Sequence, residues 1–250
     1  MGLGDEIMAT AQARELSNKL GGPVSFRKKT HNTREIFKNN PYIVPQGGFE
    51  LINESGRPYM LAMTEEKVVY SPNFSAVPGD LYFTESEMME ARRLIDELED
   101  FIVIEPSIKN KFSKDNKDWG WNNWQSLVEK LQDYTVVQLV PNQSAQKMPG
   151  AHVIETPTFR IACAVVNEAK LFVGPDGGLH HASAALNVPA VVIWGGYSHP
   201  SQLGYSQHTN LRADDTPACG SRKSCSHCRA MMEQISVQQV YEAITQANPQ

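Results

Sequence analysis

Short apolar runs alternate with amphipathic segments through the second half of the chain. Phe101-Ile102-Val103-Ile104, Thr135 to Val140, His152-Val153-Ile154, Leu171-Phe172-Val173 and Val188 to Trp194 are compact runs of this kind. Runs this short and this apolar mark strands buried on both faces. Between them, Asn122 to Leu131 places Trp124, Leu127, Val128 and Leu131 on one helical face, and Phe159 to Asn167 and residues 179–187 also read as helices. Val237 to Ala247 is a final helix. Strand and helix alternating over short connections predict an α/β fold with a doubly wound parallel sheet. The first half is less regular. A glycine turn, Gly2-Leu3-Gly4-Asp5, leads into a helix from Glu6 to Leu20, which Gly21-Gly22-Pro23 ends. Val24 to Phe26 reads as a strand and Thr33 to Asn39 as a short helix. Tyr42 to Asp80 is broken by proline and glycine into loops and short strands, including Leu61 to Met63 and Lys67 to Tyr70. Thr84-Glu85-Ser86-Glu87 is a capping box opening a helix to about Leu98. The change of pattern sets a domain boundary near residue 100.

Composition narrows the class. At 250 residues, 41% hydrophobic and 20% charged, the chain is an ordinary soluble globular protein able to bury a real core. A net charge of −5 argues against a wholesale nucleic-acid or membrane coat and leaves a local basic groove open. No run approaches the roughly 18 apolar residues of a membrane span. The start, MGLGDEIMA, lacks the basic and apolar regions of a signal peptide, so a cytoplasmic protein is expected.

The segment Leu171 to Pro200 carries the most chemistry. A strand runs into Gly174-Pro175-Asp176-Gly177-Gly178, then a helix, then a second strand ending at Gly195-Gly196. A glycine turn that opens a helix after a parallel strand offers unpaired N–H groups and a partial positive charge, a natural phosphate site. The pattern is neither a P-loop nor a dinucleotide fingerprint, and a turn of this kind can also bind nothing. Asp176 and His181 add polar groups where a crevice belongs. Two basic segments stand elsewhere. One comprises Arg27, Lys28, Lys29, His31 and Arg34, with Lys38 beyond; the other comprises Lys109, Lys111, Lys114 and Lys117.

Four motifs together resemble glycosyltransferase family 9, whose best known members are the lipopolysaccharide heptosyltransferases. They are Gly2-Leu3-Gly4-Asp5-Glu6-Ile7-Met8-Ala9-Thr10, Lys117-Asp118-Trp119 followed by Trp121 and Trp124, Asp176-Gly177-Gly178-Leu179-His180-His181, and Trp194-Gly195-Gly196-Tyr197-Ser198-His199-Pro200. The resemblance implies a GT-B architecture, two Rossmann-like domains facing each other across a cleft. It also implies an inverting transfer from a nucleotide-sugar to a hydroxyl without a catalytic metal or other cofactor. On that basis residues 1–100 are expected to form a reduced acceptor domain, 101–235 the nucleotide-sugar domain and 236–250 a C-terminal helix. Asp5 becomes the candidate general base; its alternative is a helix cap. Lys117, Asp176, Gly177, Gly178, His181 and Ser198 become candidate donor-binding residues. Gly4, Arg27 and Lys28 become candidate acceptor contacts. Lys111 or Lys114 could take the role of Lys117. His180 is one position off the family pattern and could simply pack. Asn142-Gln143-Ser144 is a candidate nucleoside loop. The chain departs from the family in reading Asp-Gly-Gly where a threonine is usual at 177, and in starting at its first glycine turn without a preceding strand.

The implied acceptor is lipopolysaccharide or another surface glycan. A macromolecular hydroxyl, on protein or on a hydroxymethylated DNA base, is an alternative, as is a non-catalytic sugar-nucleotide-binding module. Of four cysteines, Cys163 sits in an apolar helix, while Cys219, Cys225 and Cys228 cluster around His227. That cluster could hold a structural zinc or iron, with His227 or His208 as a fourth ligand, or form a disulfide and a free thiol.

Overall fold

The computed structural model describes residues 2–26, 34–45, 47–52, 57–106 and 113–247. The chain opens with helix α1 (Leu3–Leu20), ended by Gly21 in the left-handed conformation at φ 77°. Strands β1 (Val24–Phe26) and β2 (Phe49–Ile52) pair in parallel, and β3 (Met60–Met63) and β4 (Val68–Tyr70) form an antiparallel hairpin. Helix α2 (Glu85–Leu94) follows. The expected helix over Thr33 to Asn39 is a single 3-10 turn, Glu35–Phe37. Asn40-Pro41 leaves it no room, because the residue before proline disfavours helical backbone. Thr33 itself lies outside the described residues.

The second half alternates as expected: β5 (Phe101–Ile104), α3 (Trp121–Lys130), β6 (Thr135–Val140), β7 (His152–Glu155), α4 (Phe159–Glu168), β8 (Leu171–Pro175), α5 (Gly178–Ala185) and β9 (Ala190–Trp194). It continues with α6 (Pro200–Leu203), β10 (Thr209–Arg212), α7 (Ser226–Glu233) and α8 (Val237–Ala247). Six strands make one parallel sheet in the order β10-β9-β8-β5-β6-β7. Counted from β5, this is the Rossmann order, and its switch point lies between β5 and β8. Every residue of β5, β8 and β9 is buried, which explains their unbroken apolar runs.

Helices α4 and α5 cover one face of this sheet. The other is covered by α3 and α8, with Trp119, Trp124, Leu127, Met232 and Ile244 in its core. Among the described residues, the first hundred form α1, the 3-10 turn, α2 and the two strand pairs, with no core separate from that of the sheet. Ile7, Met8, Phe26, Ile36, Phe37 and Ala91 join Phe101, Val103, Val165, Phe172 and Trp194 in one apolar cluster. Apolar packing runs across residue 100. Helix α1 lies on α5, and α2 lies on α4.

One buried cation joins these layers. Arg160 of α4 is 1% exposed. Its guanidinium donates to both Glu87 carboxylate oxygens at 2.7 and 2.8 Å, to the Tyr82 carbonyl at 2.6 Å and to the Glu35 carbonyl at 3.0 Å. Glu87 also closes the α2 capping box by accepting the Thr84 N–H at 2.8 Å. Hydrogen bonding from Arg160, helped by the Thr84 backbone against the effect of burial, lowers the Glu87 carboxyl to about 2. Arg160→Ala would leave the partly buried Glu87 carboxylate and the Tyr82 and Glu35 carbonyls without their donor, so a loss of about 1–3 kcal/mol is expected in urea unfolding. Because the folded carboxyl titrates below the unfolded one, its stabilisation is present above about pH 5 and lost as pH falls towards 2. Glu87→Gln should accordingly flatten the acid limb of the stability–pH curve measured by thermal unfolding.

Candidate active site

A cavity of about 920 Å³ opens at the switch point, outside the carboxyl ends of β5 and β8. Glu105 and Pro106 line it from β5, Asp176 to Leu179 from β8 and α5, Gly2 to Asp5 from α1, and Arg57, Tyr59 and Met60 from the segment entering the hairpin. Ligands of open α/β sheets bind in this position, and the volume suits a small molecule.

Asp5 is the third residue of α1. Its carboxylate accepts the Gly2 N–H at 2.8 Å, so it closes a cap from inside the helix and is not the N-cap itself. Oδ2 also accepts Arg57 Nε at 2.9 Å, and Oδ1 accepts the Tyr59 hydroxyl at 2.5 Å. Burial, reinforced by the Asp5 charge, pushes the Tyr59 phenol well above its usual range, so it stays a donor. A carboxylate has about four lone-pair sites. Three are occupied, and the fourth, on Oδ1, belongs to a side chain that lines the cavity. Gly4 is set by packing: a Cβ there would lie 2.5 Å from His181 Cδ2.

Opposite, Asp176 ends β8 and is buried. Its Oδ2 accepts Lys117 Nζ and Ser198 Oγ, each at 2.6 Å, and Lys117 also donates to the Asp176 carbonyl at 3.1 Å. Burial alone would raise the Asp176 carboxyl, but the Lys117 ammonium first, with the His180 and His181 rings 3.7 Å from Oδ1, holds it well below its usual range. The reverse holds for Lys117: burial opposes its charge, and Asp176 more than compensates, raising it. The ammonium also sits 4.9 Å above the Tyr197 ring. Helix α5 begins at Gly178 with no side chain capping its first turn. A Cβ on Gly177 would lie 3.3 Å from Glu105 Oε2, so the missing threonine corresponds to a turn pressed close to β5.

His181 meets the Tyr205 hydroxyl through Nδ1 at 2.7 Å, and its Nε2 lies 3.7 Å from Asp176 Oδ1. Burial first, then His180, lowers it to about 3, so the ring is neutral at pH 7. His180 is wholly buried and packs edge-on against Trp194, with centroids 5.4 Å apart.

Lys117, Asp176, Gly177, Gly178 and His181 thus share a cavity with Gly4 and Asp5, and Ser198 joins through Asp176. Arg27 and Lys28 lie outside the described residues, as do Lys109 and Lys111. Lys29 and His31 also lie outside them; the cluster's described members are engaged, Arg34 pairing with Glu6 and Lys38 Nζ lying 3.7 Å from Glu87. The Asn142–Ser144 loop does not reach the cavity. Ser144 turns back on Asn142, Gln143 reaches Glu155, and the flanking Leu139–Pro141, Ala145 and Gln146 form the lining. Sequence reasoning missed Arg57, Tyr59 and Tyr197. The first two meet Asp5 across more than 50 residues of chain, and no local motif marks such contacts.

The cysteine cluster closes up. One ligand atom each from Cys219, Cys225, His227 and Cys228 lies within 4.8 Å of all the others, and the Cys219 and Cys225 sulfurs are 3.8 Å apart. A tetrahedral ion with metal–sulfur bonds of about 2.3 Å separates its sulfurs by about 3.8 Å, so the donor set fits zinc or iron. His208 is not part of it; its ring packs 5.3 Å from that of His180. Cys163 is buried in α4.

Residues 73–236, about two thirds of the chain, match the profile of glycosyltransferase family 9 (heptosyltransferase). No curated protein matches significantly. Among solved structures, the glycosyl transferase family 9 protein of Veillonella parvula DSM 2008 aligns at TM-score 0.68 and 15% identity, over 99% of this chain and 94% of its own. The E. coli ADP-heptose lps heptosyltransferase II aligns at 0.52 and 18%, over 71% of this chain and 55% of its own. The iron-containing dodecameric glycosyltransferase TibC of enterotoxigenic E. coli aligns at 0.52 and 17%, over 69% and 49%. The chain therefore spans about half the length of these two E. coli enzymes. At such identities the structural likeness establishes the α/β fold these transferases share, and among the described residues no helix is long and apolar enough to cross a membrane. The profile match goes further, and on it the chain belongs to glycosyltransferase family 9.

Proposed function

We propose that this chain is an inverting glycosyltransferase that moves a sugar from a nucleoside-diphosphate sugar to a hydroxyl acceptor, with Asp5 as general base. One observation carries the reading: a carboxylate with a single open lone pair and an anion site built from Lys117 and the α5 N-terminus line the same cavity. The acceptor oxygen attacks the anomeric carbon as its proton passes to Asp5 Oδ1. The bond from that carbon to the diphosphate oxygen breaks, and its electron pair leaves with the nucleoside diphosphate. Arg57 and Tyr59 keep the base oriented through the transfer. Negative charge grows on the leaving diphosphate, where a positioned ammonium and a helix N-terminus stabilise it most. Lys117 has three N–H donors, and Asp176 takes two of them, leaving one for a phosphate oxygen. In this reading Asp176, held by Ser198, accepts from sugar hydroxyls, and Gly177 and Gly178 let the diphosphate approach the backbone.

ADP-heptose, the donor named for the E. coli relative, is the first donor to try, and a lipopolysaccharide or other surface glycan the first acceptor. Asp5→Ala should lower nucleotide release in the presence of acceptor by about 10²–10⁴-fold. Its affinity for the nucleotide should stay within about twofold of the wild type by calorimetry. Turnover surviving in this variant would remove Asp5 from the mechanism, and nucleotide binding without turnover in the wild type would favour a binding module. Lys117→Met removes a charged hydrogen bond and should weaken nucleotide binding by about 10- to 100-fold in the same titration.

A further inference from the structure

Residues 219–223 run between the β3–β4 hairpin and the loop after β9, a position the reaction above does not use. On the hairpin side, Val68 N–H donates to the Gly220 carbonyl at 2.8 Å and Lys67 bridges Ser221 in antiparallel fashion. Arg222 N–H donates to the Glu66 carbonyl at 2.8 Å, the Arg222 guanidinium reaches the Thr64 carbonyl at 2.5 Å, and Lys223 Nζ meets Glu66 at 2.6 Å. On the other side, Cys219 N–H donates to the Gly196 carbonyl at 2.7 Å and Gly220 N–H to the Tyr197 carbonyl at 2.9 Å. The segment lies along β4 through this isolated bridge and these hydrogen bonds, with the cavity wall of Met60, Met63, Val68 and Tyr70 on one flank and the Gly196–Tyr197 backbone on the other.

Gly220 is what permits this approach. It has φ +65°, and a Cβ there would lie 2.0 Å from the Val68 carbonyl oxygen. Yet the sequence Gly-Ser-Arg-Lys-Ser over 220–224 contains no apolar side chain to anchor it. Ordering such a polar segment costs conformational entropy that packing does not repay. Asn116 braces it from below, donating to the carbonyls of Ser221 and Lys223 at 2.8 and 2.9 Å. The four clustered ligands stand at its two ends: Cys219 on one side, and Cys225, His227 and Cys228 at the start of α7 on the other.

We propose that one zinc or iron ion bound by Cys219, Cys225, His227 and Cys228 staples this segment shut. Through Gly220 to Lys223 it clasps the β3–β4 hairpin against the Tyr197–Ser198 loop. Metal occupancy then sets the order of the hairpin wall of the cavity, while the six-stranded sheet stands without it. The inference concerns this architecture and is read without sugar or turnover, so its failure is distinct from failure of the transferase reading.

The test is hydrogen exchange on the full chain purified without oxygen, with metal content measured alongside. One zinc or iron per chain is expected. Removing it with a chelator should speed exchange of peptides covering residues 60–70 and 216–225 at least tenfold and leave β5, β8 and β9 unchanged. Gly220→Ala, which keeps all four ligands, should retain the metal and still release the hairpin. Cys225→Ser should lose both the metal and the protection. A chain that binds neither zinc nor iron would overturn the proposal, as would hairpin exchange that is the same with and without metal. Equal exchange in Gly220→Ala and wild type would remove the clasp even if the ion is bound.

Discussion

The Lys117–Asp176 pair is the interaction around which the site is arranged. A buried carboxylate without a partner would be costly, and Asp176 sits at the end of a strand with no exposed residue. Its partners come from three places in the chain: Lys117 from the segment before α3, Ser198 from the loop after β9, and the two histidines from α5. Accommodating one buried carboxylate therefore draws three connections to the same end of the sheet. The two charges hold each other ionised in an environment that opposes both, so an ammonium stands fixed in the cavity wall. Preorganisation of this kind means little has to move when charge develops on a ligand.

A second constraint sets what faces this pair. Helix α1 cannot bury its apolar side alone, and it does so on α5, with Gly4 admitting the His181 ring. That contact fixes the α1 N-terminus over the crevice, and the Gly2 N–H donating to the Asp5 carboxylate fixes that carboxylate within it. Arg57 and Tyr59 then occupy all but one of its acceptor positions. The two halves of the chain share a core, so the distance between Asp5 and Lys117 is set by helix packing.

Much of this was legible from residue pattern, for a physical reason. β5, β8 and β9 are buried on both faces, so their sequences are apolar without interruption. The Asp176-Gly177-Gly178 turn was legible because strand, glycine and helix are adjacent in sequence. β10 escaped because an edge strand presents Thr-Asn-Leu-Arg with little apolar content, and α7 because its first turn is built from the cysteine segment. Arg57 and Tyr59 escaped because their roles come from contacts with Asp5 made far along the chain. The Asn142–Ser144 loop looked suited to a nucleoside by composition, but its polar groups satisfy each other and Glu155, leaving its neighbours to line the cavity.

The central claim is that the cavity between Asp5 and Asp176 is a nucleotide-sugar site. Thermal unfolding of the full chain with UDP-, GDP-, ADP-, CMP- and dTDP-sugars tests it most directly. A ligand at about 100 times its dissociation constant adds about 2.7 kcal/mol, which moves the midpoint of a chain this size by about 5 °C or more. Such a shift is expected with at least one nucleotide-sugar, cut to about half or less in Lys117→Met at the same ligand concentration. A midpoint unmoved by all five at millimolar concentration would contradict it.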